Sequence, residues 1–206
     1  MAPLARSAAW ATGTNPIIRR ASAMAETSSR GAIAILAAGA LAGGSTVAVV
    51  NDQAAEVAGG LIQKWEGTKT VPYKDIVGKW TVCTGETRVK MQRYTLAECR
   101  VFLRTAIKSD FGKGVLTCTP QIATTIYQLG AAISVAYNIG VAGYCGSTMA
   151  RQFKAGDWYA ACNAFALWNK AGGVIVTGLV NRRNDEMRAC FTMLPPERTL
   201  TPKVTG

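Results

Sequence analysis

Apolar positions along this chain fall into three regimes: an uncharged run near the amino end, a short alternating stretch, and a series of helical repeats. The first, GAIAILAAGALAGGSTVAVV at residues 31–50, is long enough to cross a bilayer as a helix at about 1.5 Å per residue. Seven of its residues are Ala and four are Gly, so insertion holds it only weakly. Arg6, Arg19, Arg20 and Arg30 precede it and Asp52 and Glu56 follow, which predicts a cytoplasmic amino end and an exported remainder. Release, cleavage and permanent anchoring stay open, and Met24 offers an alternative start.

After Val50 the pattern predicts a helix capped by Asn51 or Asp52, with Leu61, Ile62 and Trp65 as an apolar face before Glu66. Alternation from Pro72 to Thr87 around Gly78 reads as a twisted hairpin, Trp80 and Val82 on one face, Thr81 and Cys83 on the other. Thr95 and Glu98 form a capping box for the next helix. Thr119 and Pro120 start another that runs to Gly140, with Ile122, Ile126, Leu129, Ile133 and Tyr137 on one stripe. Gln121, Gln128, Ser134 and Asn138 mark that helix as a buried central element, not a membrane span. Further helices are predicted over Ser147–Ala155, Asp157–Asn169 and Gly178–Thr192. The fold class is therefore α+β, mainly helical: a small hairpin lobe, a larger helical lobe and a cleft between them. The expected divisions are a tail at 1–30, a membrane segment at 31–50, one catalytic domain at 51–194 and a tail at 195–206.

A net charge of +11 favours a polyanionic partner, yet the basic residues are scattered and match no nucleic-acid-binding motif, so no nucleic acid is expected. No His is present, which removes Ser-His-Asp and Cys-His catalysis and, with no CxxC among six cysteines, argues against zinc. Carboxylates become the default acid and base, with no metal or cofactor. In an exported domain the six cysteines can pair in fifteen ways; Cys145 with Cys162, on neighbouring helical elements, and Cys118 with Cys190 are expected, leaving Cys83 with Cys99.

Glycoside hydrolysis needs an acid for the departing oxygen and a second carboxylate for the other face of the sugar. Glu66, beside Trp65, suits the proton donor; Asp75, on the hairpin next to Lys74, suits the group that stays ionised; the Thr81 hydroxyl can orient a water. By spacing alone the three are equally a helix-end acid, a turn former and a strand filler.

The whole string decides between these readings. Glu, eight residues, Asp, five residues, Thr, set in YKD and TVCTGET, resembles the phage-type lysozymes (endolysins) of glycoside hydrolase family 24. The resemblance continues through SVAYNIG, GSTMARQFKAGDW, FALWNKAGG and GLVNRRNDEM, spanning about Leu61 to Cys190, and the front end resembles the signal-anchor-release segment of a branch of these enzymes. It implies a muramidase acting on peptidoglycan, with Glu66 as general acid, Asp75 as general base and Thr81 positioning water, by inversion; a monomer is expected. It also implies that Arg182 pairs with the catalytic Glu and that Tyr137, Asn138, Ser147 and Thr148 line the cleft. One departure stands out: the family's GHT is here Gly85-Glu86-Thr87, which puts a structural contact in doubt and leaves the triad intact. A lytic transglycosylase using Glu66 alone, or a non-enzymatic cationic envelope binder, are the competing readings.

Overall fold

The computed structural model describes residues 49–75 and 78–194. Helix α1 (Asp52–Glu66) is capped by the Asn51 side chain, which accepts from the Ala54 N–H. Strands β1 (Lys69–Lys74) and β2 (Trp80–Cys83) form an antiparallel hairpin, irregular between Lys69 and Tyr73. Helix α2 (Leu96–Ala106) begins at the expected capping box, Thr95 Oγ1 accepting from the Glu98 N–H while Glu98 accepts from Thr95 N–H. It runs through a π-helical segment, Ile107–Gly112, into α3 (Lys113–Cys118). Next come α4 (Tyr127–Ile139), α5 (Val141–Cys145), α6 (Thr148–Ala155) and α7 (Trp158–Asn163). A two-residue ribbon of β3 (Lys170–Ala171) and β4 (Val174–Ile175) leads to α8 (Thr177–Phe191). The architecture is α+β and mainly helical, as expected.

Helix α4 is the axis of the helical lobe: every residue from Gln128 to Asn138 is buried, and α1 and α8 pack against it. Gln128, Ser134 and Asn138 each meet a partner on α8 or at its end. Gln128 Nε2 donates to the Cys190 and Thr192 carbonyls, Ser134 Oγ donates to Glu186, and Asn138 Oδ1 accepts from Arg183. A membrane span would leave these groups unsatisfied in lipid; among the described residues no helix is long and apolar enough to cross a bilayer. Gly130 lets α1 approach, because a Cβ there would lie 2.6 Å from a Val57 methyl and 3.0 Å from the Ala54 carbonyl oxygen.

Several boundaries differ from the sequence reading. The helix expected from Thr119 starts instead at Tyr127, after a 3-10 turn over Pro120–Ile122. Thr119 and Thr125 turn their hydroxyls onto the Val115 and Ile122 carbonyls, local bonds that compete with helix propagation. The helix expected over Asp157–Asn169 tightens into a 3-10 turn at Ala164–Leu167. In β2, Trp80 is exposed whereas Thr81, Val82 and Cys83 are all buried, so that strand is covered on both faces. The run 31–50 lies outside the described residues except for Val49 and Val50; Val49 is exposed and Val50 is buried in the core.

The cysteines pair as Cys83–Cys99, Cys118–Cys145 and Cys162–Cys190. The first is as expected; the pairings Cys118–Cys190 and Cys145–Cys162 are corrected. Gly140, at φ 84°, reverses the chain so that α5 lies back on α3, while α6 intervenes between Cys145 and Cys162 and α7 faces α8. Unreduced digestion should give peptides joined in these three pairs; a Cys145–Cys162 cross-link would contradict the packing. Replacing both Cys162 and Cys190, 28 residues apart, by Ala should lower stability by about 3 kcal/mol in denaturant titrations.

Candidate active site

Glu66 is the last residue of α1, and Gly67, at φ 68°, turns the chain directly into β1. The acid thus stands where the helical lobe meets the hairpin. Its side chain is 8% exposed and accepts a hydrogen bond from Arg182 Nη1 at 2.8 Å. The positional expectation for Arg182 therefore holds: it is fully buried on α8 and reaches Glu66 across the lobe.

On the hairpin, Asp75 and Thr81 are organised by one residue. The Lys79 N–H donates to Asp75 Oδ1 at 2.9 Å, and Thr81 Oγ1 donates to the Lys79 carbonyl at 3.1 Å. The Asp75 N–H donates to the Lys79 carbonyl and the Gly78 N–H to the Asp75 carbonyl, both at 2.9 Å, which closes the turn between them. Thr81 is 3% exposed. Because its proton is committed to a carbonyl, its oxygen is left as an acceptor.

Behind Glu66 lies a charge cluster that the sequence reading missed. Glu186, fully buried, accepts on Oε1 from Ser134 Oγ at 2.7 Å and from Arg182 Nε and Arg183 Nη2 at 3.2 Å each. Its Oε2 lies 2.7 Å from Arg183 Nε, an ion pair without hydrogen-bond alignment. Burial pulls the Arg183 guanidinium down to about 10; Arg182 adds to that, while Glu186 and Glu66 oppose it. The available signal was two polar residues four apart, Ser134 and Asn138, on a mainly apolar helix, matched by arginines and an acid one turn apart in NRRNDEM.

The remaining predicted residues take these places. Tyr137 packs on Phe111, ring centroids 4.7 Å apart, and its hydroxyl donates to the Thr84 carbonyl at the end of the hairpin. Asn138 joins the cluster through Arg183. Ser147 caps α6, accepting from the Ala150 N–H, and Thr148 accepts from Arg151. A recess of about 420 Å³ between α1 and α2 contains none of Glu66, Asp75 and Thr81. Among the described residues no group of His, Cys, Asp and Glu could hold a metal.

Where the family has His, Glu86 builds its own contacts. It pairs with Arg88, accepts from the Thr87 and Arg88 N–H groups, and Arg88 reaches on to Asp110 of the π-helical segment at 2.6 Å. The doubtful contact is thus replaced by a Glu-Arg-Asp bridge from the hairpin region to the helical lobe.

The sequence profile of the phage lysozyme family matches residues 63–186, more than half of the chain. The chain belongs to the phage lysozyme family. It is 37% identical over 131 residues to the SAR-endolysin of Enterobacteria phage P21, covering 61% of this chain and 77% of that protein. To the SAR-endolysin of Escherichia phage Mu it is 35% identical over 124 residues, 59% of this chain and 71% of the relative. Among solved structures, the endolysin from Escherichia coli O157:H7 phage FAHEc1 aligns with a TM-score of 0.59 at 23% identity, covering 72% of this chain and 96% of the other. The active form of the P1 phage endolysin Lyz aligns at 0.58 and 22% identity, covering 72% and 88%. These structures share the fold.

In this phage lysozyme, burial pushes the Glu86 carboxyl up, and Arg88 with the local N–H groups outweighs that, leaving it below the usual carboxylate range. A depressed carboxyl stabilises fully above its unfolded value of 4.5 and loses that contribution as pH falls. The Tm difference between the protein and its Glu86→Gln variant should therefore shrink from about pH 6 to about pH 3; a constant difference would contradict the ion-pair reading.

Proposed function

We propose that this phage lysozyme family member hydrolyses the β-1,4 bond between N-acetylmuramic acid and N-acetylglucosamine in the bacterial wall, for host lysis. Glu66 is the general acid, Asp75 the general base and Thr81 the residue that positions water. The class, a lysozyme-type endolysin acting on peptidoglycan, rests on family membership and on relatives that are named endolysins. The individual roles rest on one observation: Asp75 and Thr81 are both tied to Lys79, so a carboxylate and a hydroxyl acceptor share a single turn. A water donating one hydrogen to each would keep its lone pairs free and could direct one at the anomeric carbon. Its proton passes to Asp75 as Glu66 protonates the departing oxygen from the other side, and the configuration inverts.

Delivery follows from the amino-terminal pattern. The weakly apolar run at 31–50 carries the domain across the inner membrane with its amino end in the cytoplasm, and the monomeric domain acts outside. The relatives' name, SAR-endolysin, supports this reading. Val50, the last residue of the run, is buried in the core of the domain, so that position cannot serve bilayer and core at once. Core completion is thereby coupled to release.

Digestion of purified sacculi followed by mass spectrometry of the muropeptides tests the reading. Hydrated reducing ends are expected, and Glu66→Gln and Asp75→Asn should each lose about 10²- to 10⁴-fold in rate. Anhydro ends with an active Asp75→Asn variant would favour a transglycosylase using Glu66 alone. Lysis undiminished in Glu66→Gln would favour envelope disruption by the cationic surface.

A further inference from the structure

A guanidinium sits 2.8 Å from the carboxyl read as the general acid, a full positive charge beside a group that must deliver a proton. The cluster behind Arg182 bears on this conflict. We propose that Glu186 is a positioning residue for catalysis: it occupies one edge of the Arg182 guanidinium and counters the charge of both arginines, so that Glu66 can be held in place and still carry a proton. The proposal rests on the reading of Glu66 as the general acid.

The geometry supports it in two ways. First, Glu186 takes the Nε edge of Arg182, so the guanidinium faces Glu66 through Nη1. The Nη2 group lies 3.5 Å from the Ser134 carbonyl, which fixes the plane of the fork from a third side. Arg182 is thereby held by α4 and by its own helix while it contacts α1, and the direction of the Glu66 carboxyl is set by groups that do not touch substrate.

Second, the charges sum in a particular way. With both acids ionised, Arg182, Arg183, Glu66 and Glu186 are neutral together; protonating Glu66 leaves one net positive charge. Without Glu186 the same step would go from one positive charge to two, inside a region where Arg182, Arg183 and Glu186 are each no more than 1% exposed. The ionisable groups facing Glu186 are Arg182 and Arg183 on α8 and, beyond Arg182, Glu66 on α1. Helix α4 adds the neutral Ser134 and Asn138, and Cys162 of α7 is tied up in its disulfide with Cys190. Asp185 pairs with Lys64 and Arg188 in a separate, outward-facing set. Stability alone does not call for the arrangement, since apolar side chains of similar volume commonly match or exceed a buried ion-pair group.

The test follows the Glu66 side-chain carboxyl by carbon-13 NMR through a pH titration of the full chain, together with the pH dependence of the rate on peptidoglycan. Glu186→Gln should move the Glu66 midpoint down by about one pH unit, and Arg183→Met should move it up by a similar amount. The charge-balanced double variant should return it close to the original. The rate profile should shift with each. Midpoints that stay put, or that move the same way in both single variants, would overturn the proposal and leave Glu186 a structural residue, whatever the loss of stability. If one single variant does not fold, the other and the double variant decide. Midpoints that move as expected while the rate profile does not would uphold the electrostatic coupling and sink the assignment of Glu66 as the acid.

Discussion

The arrangement of this molecule depends on one guanidinium, that of Arg182, wholly buried and shared between an acid at the end of α1 and an acid one turn further along α8. A buried cation must be paired on more than one side or it costs several kcal/mol. Satisfying Arg182 therefore fixes three helices at once: α1 through Glu66, α4 through the Ser134 carbonyl, and α8 through Glu186. The fixed position of the Glu66 carboxyl at the end of α1 is a consequence of that pairing.

The apolar core makes such a cluster possible by keeping water out and setting the spacing. Small residues on α1 and Gly130 on α4 bring those helices close, and the side chain of Gln128 closes the far end of α8 on its last carbonyls. Three disulfides then tie segments that the core alone holds less directly: β2 to α2, α3 to α5, and α7 to α8. Covalent ties between short helices restrict the unfolded chain as well as the folded one. The hairpin is joined to the helical lobe by polar contacts, Tyr137 to Thr84 and the Glu86-Arg88-Asp110 bridge.

Much of this was legible in the sequence, and the reasons differ by element. Helices with a strong local cap, at Asn51, Thr95, Ser147 and Asp157, begin where their side chains place them, because capping is decided within four residues. The start of α4 was not legible, since Thr119 resembles a cap and its hydroxyl goes elsewhere. Glu66, Asp75, Thr81 and Arg182 stood out through a resemblance that covers most of the domain. Glu186 and Arg183 did not, because a charged residue on a helix is ordinarily solvated, and only the packing of α8 on α4 reveals that these are buried. The second and third disulfides were not legible for a related reason: helices adjacent in sequence need not be adjacent in space, and the reversal at Gly140 lays α5 back on α3.

What remains distinctive is the division of labour across the two lobes. The helical side supplies a carboxyl held by a buried arginine; the hairpin side supplies a carboxylate and a hydroxyl both tied to Lys79. If a water held by the hairpin attacks opposite the helical acid, the sugar must invert. Proton NMR of the newly freed N-acetylmuramic acid reducing end, recorded before mutarotation, tests this directly. The α anomer is the predicted first product; the β anomer would contradict the account.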